Sequence, residues 1–188
     1  CVLYQGGTPV FADVDSGTLL LDPDQVRSKI TPRTAAIVSV DYAGQPCDYD
    51  ALRSIADEHG ISLVADACHA HGGRYGDRPV GSLADMSVFS FPPVKQMTAG
   101  EGGAIATDSV QLAQRMRTFR NHGITSDHHQ RARRSEFFYE MEELGYNYRI
   151  TDFQCALGLS QLAKLPEFLL RRRDIAARYD SALTETPA

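Results

Sequence analysis

The chain has 188 residues, of which 43% are hydrophobic and 23% charged, and this is the composition of an ordinary globular protein. Its net charge of −5 gives no basic field that would favour nucleic acid. No apolar run reaches the roughly 18 residues of a transmembrane helix, and no signal peptide is recognised. The four cysteines form no CxxC pair and no regular framework, which favours reduced thiols in the cytoplasm.

Predicted strands and helices alternate through the first two thirds of the chain. A short strand is predicted over 9–14, and Asp22 and Pro23 are typical of the start of a helix. Further strands are predicted over 34–41, 61–66, 73–75, 86–91 and 104–107, and helices over 48–59 and 109–121. Apolar strands joined by helices indicate an α/β fold with a mostly parallel sheet and helices on both faces.

The last third of the chain is less regular. Residues 123–145 are polar, which predicts a long mobile loop, and loops of this length are often either functional or disordered. Thr151 is predicted to cap a helix over 151–162, and Pro166 to start a second helix over 166–183 with one apolar face. Because the chain begins at Cys1 in mid-pattern and stops just after a helix, we expect a fragment truncated at both ends.

Polar residues end three of the predicted strands. They are Asp41, Asp66 and Ser90. Because ligands bind outside the carboxyl ends of the strands in parallel sheets, we expect these three side chains to converge on one edge.

The stretch over 87–103 is the most informative part of the chain. An apolar strand ends in Ser90, two prolines force a turn, and Lys95 follows. Gly102 and Gly103 then let the backbone fold closely back. A lysine in an apolar setting suits covalent chemistry with an aldehyde, because burial favours the neutral amine, which is the nucleophile. A solvated surface lysine is the alternative.

Asp66 ends an otherwise apolar strand, so its carboxylate either needs a positive partner or caps the next turn. An acid and a lysine on neighbouring strand ends suit pyridoxal phosphate (PLP). This cofactor needs a lysine for its aldehyde, an acid beside its ring nitrogen and donors for its phosphate. A charge pair at ~4 Å is worth about 4 kcal/mol at an effective dielectric constant near 20, enough to keep the pyridinium charged at neutral pH.

Other polar residues have simpler interpretations. Cys68, His69 and His71 resemble part of a zinc site, but no fourth ligand is placed, so we predict no metal. The polar loop contains a further group of histidines and arginines, which either are solvated or contact an anionic nucleotide: His128, His129, Arg131, Arg133 and Arg134.

Five motifs occur in a fixed order along nearly the whole chain. They are Asp66-Ala67-Cys68-His69-Ala70; Gly76 with Gly81; Ser90-Phe91 with Lys95, Thr98 and Glu101-Gly102-Gly103; Arg120-Asn121-His122-Gly123; and residues 145–158. The set resembles the nucleotide-sugar aminotransferases, the DegT/DnrJ/EryC1/StrS family of fold-type I PLP enzymes. Within that family, residues 40–44 and 159–162 look most like the UDP-4-amino-4,6-dideoxy-N-acetyl-β-L-altrosamine transaminases.

The resemblance implies the large domain of the fold-type I PLP transferases and a role for each matching residue. Lys95 would bind the cofactor covalently and later move a proton between substrate and cofactor. Asp66 would pair with the ring nitrogen, His69 would lie near the ring hydroxyl, and Ser90 would donate to the phosphate. Asn147 would reach the cofactor phosphate of a neighbouring subunit, which implies a homodimer with shared active sites.

The resemblance also implies an enzyme that transfers an amino group from an amino acid, such as glutamate, to a UDP- or dTDP-linked keto-sugar nucleotide. The pathway would be amino-sugar or polysaccharide biosynthesis. Two alternatives stay open. One is a PLP sugar dehydratase of the same fold, against which Lys95 argues because those relatives carry histidine there. The other is a non-catalytic regulatory or binding module.

The expected organisation has three parts. Residues 1–122 would belong to the cofactor-binding large domain, 123–150 would form a mobile loop and inter-subunit segment, and 151–188 would lead to a missing small domain. We expect this fragment alone to be inactive, because a phosphate-binding segment that precedes it in the family is also missing.

Overall fold

The computed structural model describes residues 1–126, 131–133, 135 and 137–184. Its helices are α1 (Pro23–Lys29), α2 (Tyr49–His59), α3 (Val110–Phe119) and α4 (Asp152–Leu183). Its strands are β1 (Ala36–Val40), β2 (Ser62–Asp66), β3 (Arg74–Tyr75), β4 (Arg78–Pro79), β5 (Met86–Ser90) and β6 (Gly103–Ala106). None of these helices is both long enough and apolar enough to cross a membrane.

The central sheet has the strand order β1-β2-β5-β6. Strands β1, β2 and β5 are parallel, whereas β6 runs antiparallel to β5. The predicted mostly parallel sheet is therefore confirmed. Strands β3 and β4 form a separate antiparallel pair, of which only the first strand is predicted by the sequence.

Local signals set the ends of the helices. The side chains of Asp22, Asp48 and Ser109 each accept a hydrogen bond from a backbone amide in the first turn of α1, α2 and α3. Gly60 ends α2 in the left-handed conformation with a φ of 63°. These helices begin within a residue or two of their predicted starts.

The hydrophobic core lies on one face of the sheet. Burial alternates along β1, so that Ile37 is buried while Val38 and Val40 are exposed. The core residues come mainly from the sheet and α2: Ile37, Leu63, Ala65, Tyr49, Leu52 and Ile55. The predicted flanking of the sheet by helices is confirmed, but the two faces are covered unequally. On the second face, which we call the open face, Val38 is 52% exposed and Ile105 49%.

The strand predicted over 9–14 is wrong. Val14 makes only an isolated bridge with Leu21. The side chain of Asp13 accepts a hydrogen bond from the Val14 amide, and Asp15 accepts one from the Thr18 amide. These local bonds turn the backbone where a strand would need its amides for a neighbour.

The prediction of two helices at the end of the chain is also wrong, because α4 is one helix of 32 residues. Thr151 caps it as predicted, in a reciprocal capping box with Gln154. Pro166 lies inside the helix instead of starting a new one. Proline removes one backbone hydrogen bond, but residues 163–165 are strong helix formers without a capping residue, so the helix continues.

The polar segment after α3 is held partly by backbone pairing. Ile124 bridges to Met141 and Asn121 to Asn147. The Arg131 guanidinium lies 4.6 Å from the centre of the Tyr139 ring. The predicted mobility of this segment stays a prediction, and His128, His129 and Arg134 lie outside the described residues.

Candidate active site

Asp66 is the last residue of β2 and lies on the open face of the sheet. It is in register with Val40 of β1 and Val88 of β5, and its side chain is half-buried. Its Oδ1 accepts a hydrogen bond from the Cys68 backbone amide at 3.1 Å. The capping role left open by the sequence is thus present, and it fixes the carboxylate at the carboxyl end of β2.

Lys95 belongs to a closed loop that follows β5, which we call the lysine loop (residues 92–98). The Ala99 amide donates to the Phe91 carbonyl at 2.9 Å, and the Phe91 amide donates to the Gly102 carbonyl at the same distance. These bonds close the base of the loop, as the turn residues predict. A Cβ at position 103 would lie 2.6 Å from the Phe89 carbonyl oxygen, so only glycine fits there. Lys95 itself is half-buried.

Asp66 and Lys95 both influence the pKa of the Cys68 thiol. Burial, together with the hydrogen bond and negative charge of Asp66, raises the pKa of this thiol to about 11. The positive charge of Lys95 opposes that rise in the pKa. Both charges therefore reach one side chain on the open face, as expected if they flank a common site.

Ser90 and His69 lie at the same edge. Ser90 is the last residue of β5 and lies on the same face as Val88, which is in register with Asp66. His69 is half-buried, and its ring centre lies 6.1 Å from that of Tyr42. The structure thus brings together four of the five predicted site residues.

Asn147 lies on a separate segment and is exposed. It stands between Tyr146 and Tyr148, whose rings stack with centres 5.0 Å apart. No hydrogen bond or ring contact joins this segment to Asp66 or Lys95 within the described part of the chain. Its role in a neighbouring subunit stays a prediction.

The expected convergence of Asp41 with Asp66 and Ser90 is wrong. Asp41 follows Val40 and turns to the opposite face, where it is fully buried. Its Oδ1 accepts hydrogen bonds from the Tyr49 hydroxyl at 2.8 Å and the Cys47 amide at 3.1 Å. Burial raises the pKa of this carboxyl group. Asp41 is therefore part of the core.

Gln96 is a further residue at this edge, and the sequence pattern does not predict it. Its side-chain amide bonds to the His71 ring at 3.0 Å and donates to the His69 carbonyl. The available signal was an amide next to Lys95 in an otherwise apolar turn. Its partners lie 25 and 27 residues earlier in the chain, however, and no local pattern connects them.

The set of donors at this edge fits PLP. A half-buried carboxylate and a hydroxyl lie on the same face at the ends of β2 and β5, with an amine on the adjoining loop. These are the acid, the phosphate donor and the lysine that PLP requires. No group of three or more potential metal ligands occurs among the residues that the structure describes.

Comparison with known proteins also points to PLP-dependent aminotransferases. The chain is 40% identical over 187 residues to the spore coat polysaccharide biosynthesis protein SpsC of Bacillus subtilis, covering 99% of this chain and 48% of SpsC. It superposes on Helicobacter pylori PseC, an aminotransferase involved in the biosynthesis of pseudoaminic acid, with a TM-score of 0.91 and 36% identity. That match covers 99% of this chain and 48% of PseC.

A third similar protein is DesI, solved in the presence of its TDP-sugar product. The TM-score is 0.86 and the identity 41%, over 99% of this chain and 45% of DesI. The chain thus spans about half the length of the relatives it matches. Its sequence also matches one family over all of residues 1–188. The chain belongs to the DegT/DnrJ/EryC1/StrS aminotransferase family, whose aminotransferases are PLP-dependent.

Proposed function

We propose that the protein is a PLP-dependent aminotransferase that transfers an amino group from an amino acid, such as glutamate, to a keto-sugar nucleotide. The observation that carries the proposal is the position of Asp66 and Ser90 on one face at the ends of β2 and β5, with Lys95 on the loop that follows β5. The kind of substrate is supported by the TDP-sugar product of DesI and by the polysaccharide and pseudoaminic acid pathways of SpsC and PseC.

Each residue at this edge has a task in that reaction. Asp66 would hold the proton on the cofactor's ring nitrogen, and Ser90 would donate its hydroxyl to the phosphate. His69 would lie beside the ring. PLP, when bound, supplies an electron sink for the carbanion that forms at the substrate carbon. Lys95 Nζ is the base that carries a proton to and from the reacting carbon.

We further propose that the complete site needs a second subunit. Asn147 is exposed on the segment 123–150, beside stacked tyrosines, and would reach the phosphate in the partner's site. Residues 1–122 would then form the cofactor-binding part and 123–150 the inter-subunit segment. The exposed aromatic residues of the second segment support this interpretation, because aromatic side chains are enriched at interfaces.

Replacement of Lys95 tests the function. In the full-length protein, Lys95→Ala should abolish both the visible absorbance of bound PLP and the transfer of nitrogen from glutamate to a panel of keto-sugar nucleotides. Lys164→Ala, at an exposed position of α4, is the matched control and should change neither. Turnover and absorbance that survive in Lys95→Ala would refute the proposal.

The unaltered protein tests the alternative of a non-catalytic module. Glutamate added to the PLP-loaded protein should change the absorbance spectrum of the cofactor as nitrogen is transferred to it. An unchanged spectrum would contradict the aminotransferase proposal and favour the module.

A further inference from the structure

We propose that Gln96 is a positioning residue, which fastens the lysine loop to the segment after β2 and so sets the place of Lys95 relative to Asp66. This inference rests on the proposed function, because it assigns Gln96 a part in the same reaction. Gln96 need not contact substrate or cofactor, and it acts through its neighbour Lys95.

Both ends of the Gln96 side-chain amide are used. Its Nε2 donates to the backbone carbonyl of His69, and its Oε1 accepts from Nδ1 of His71 at 3.0 Å. One half-buried side chain thus joins the lysine loop to two residues of the segment that begins at Asp66.

His71 is a fixed partner for this bond. It is 6% exposed, and its ring lies against Phe89 and Phe91 with centres 5.2 and 5.9 Å apart. Burial lowers the pKa of the ring below its usual value, the hydrogen bond with Gln96 opposes part of that change, and the charge of Lys95 adds to it, so the imidazole is neutral at neutral pH. Because Gln96 Oε1 can only accept, the single ring proton lies on Nδ1.

Backbone hydrogen bonds hold the lysine loop at its base. The bonds between Phe91 and Ala99 and between Phe91 and Gly102 close the loop where it leaves the sheet. A turn bond from the Lys95 amide to the Pro92 carbonyl, at 3.1 Å, lies within the loop itself. The Gln96 side chain therefore supplies the side-chain hydrogen bonds that join the loop to the segment carrying Asp66 and His69 in the described part of the chain. A reacting group displaced by ~1 Å can lose about a hundredfold in rate.

The test measures how fast Lys95 reacts with the cofactor, independently of turnover. Full-length protein is mixed with PLP and quenched at intervals with borohydride, which fixes the cofactor carbon to Nζ. Mass spectrometry of the Lys95 peptide then gives the rate of attachment. Gln96→Met keeps the length of the side chain and removes both hydrogen bonds, and it should slow attachment by about tenfold or more.

Three further readouts separate positioning from a general loss of structure. In Gln96→Met the absorbance maximum of bound PLP should shift, and kcat should fall by a larger factor than KM changes. The melting temperature should stay close to that of the unaltered protein. Gln96→Glu retains the acceptor for His71 but loses the donor to His69, so its attachment rate should lie between the two. Gln111→Met, at an exposed position of α3, should behave as the unaltered protein.

The outcomes distinguish this inference from the proposed function. Attachment in Gln96→Met at the unaltered rate would overturn the inference and leave the function standing. Should the methionine variant not fold, an unaltered rate in Gln96→Glu would overturn it equally. If the unaltered protein itself shows no attachment at Lys95, the proposed function is refuted, and the inference with it.

Discussion

Asp41 comes directly after β1 and Asp66 is the last residue of the neighbouring parallel strand β2. The two acids look equivalent in the sequence, yet the fold gives them opposite environments. Each carboxylate accepts a backbone hydrogen bond from a cysteine amide at 3.1 Å, Cys47 for Asp41 and Cys68 for Asp66. Asp41 is fully buried beneath the sheet against Tyr49, whereas Asp66 is half-buried on the open face.

Strand register explains the difference. Val40 is paired with Asp66, so Asp41 comes one residue later and points to the other face. An offset of a single residue thus decides whether a carboxylate joins the core or a binding site. An acid at a strand end is therefore a candidate site residue only once its face of the sheet is known.

The largest expected effect separates the two acids by activity. Asp66→Asn should lower kcat for transfer from glutamate by about a thousandfold, since a charge pair of about 4 kcal/mol with the ring nitrogen is lost. Asp41→Asn, on the opposite face, should keep the turnover of the unaltered protein. Steady-state kinetics of both variants provide the test, and comparable losses of kcat in the two would contradict the different roles of Asp41 and Asp66.

The stability of the folded protein should depend on Asp41, the acid that is not needed for activity. Asp41→Ala leaves the Tyr49 hydroxyl and the Cys47 amide without their buried acceptor, and we expect the free energy of unfolding to fall by about 2–3 kcal/mol. Asp57→Ala, which removes an exposed ion pair with Arg53, is the control and should cost about 0.5 kcal/mol or less. Urea denaturation measures both values, and equal effects would contradict the buried role of Asp41.

The pH dependence of stability sharpens the assignment of Asp41. Burial raises the pKa of the folded protein's Asp41 above its ordinary value of 3.8, so the folded state holds this proton more tightly than the unfolded state. The resulting stabilisation is complete below pH 3.8 and is lost as the pH rises through the raised pKa.

The slope should reach at most about 1.4 kcal/mol per pH unit in that window. Asp41→Asn removes the titrating group, so its unfolding free energy should lack this decline relative to the unaltered protein. Denaturation curves at a series of pH values give the difference, and parallel pH profiles for the two proteins would contradict a raised pKa.

The smallest expected effect concerns the two cysteines. With a pKa of about 11, only about one Cys68 thiol in a thousand is ionised at pH 8, so its alkylation by iodoacetamide should be slow. Asp66→Asn removes the negative charge that raises this pKa, and labelling of Cys68 should become several-fold faster.

Cys47 serves as the counterpart in the same labelling experiment. It is fully buried, so it should stay unlabelled in the folded protein with or without Asp41→Asn. Exposed Cys155 supplies the internal rate standard for peptide mass spectrometry. Labelling of Cys47 at the rate of Cys68 would contradict the difference in burial between the surroundings of Asp41 and those of Asp66.

Much of the fold could be predicted because its signals are local. The caps Asp22, Asp48 and Ser109 act on amides two or three residues away, and they mark helix starts without any knowledge of the tertiary structure. The closed turn around Lys95 is likewise set by its own prolines and glycines. The family resemblance adds roles for residues that these local signals place at one edge.

The failures depend on contacts between distant parts of the chain. The face occupied by Asp41 follows from the register of β1 with β2, which lie some 26 residues apart in sequence. Gln96 pairs with His71 only after β2 and β5 become neighbours. The continuous α4 shows a different limit, because Pro166 is a helix-breaking signal that strong helix formers on both sides override.

The long helix α4 also contacts the two chain segments on either side of the site. Near its start, Gly158 packs against Ala99 at the base of the lysine loop, and further along Leu169 packs on Gly72, just past His71. The two contacts are 11 residues apart, a span of about 16 Å along the helix axis. One rigid rod therefore sets the spacing between the loop that carries Lys95 and the turn that follows Asp66. A bend centred on Pro166, between the two contacts, would shift one against the other.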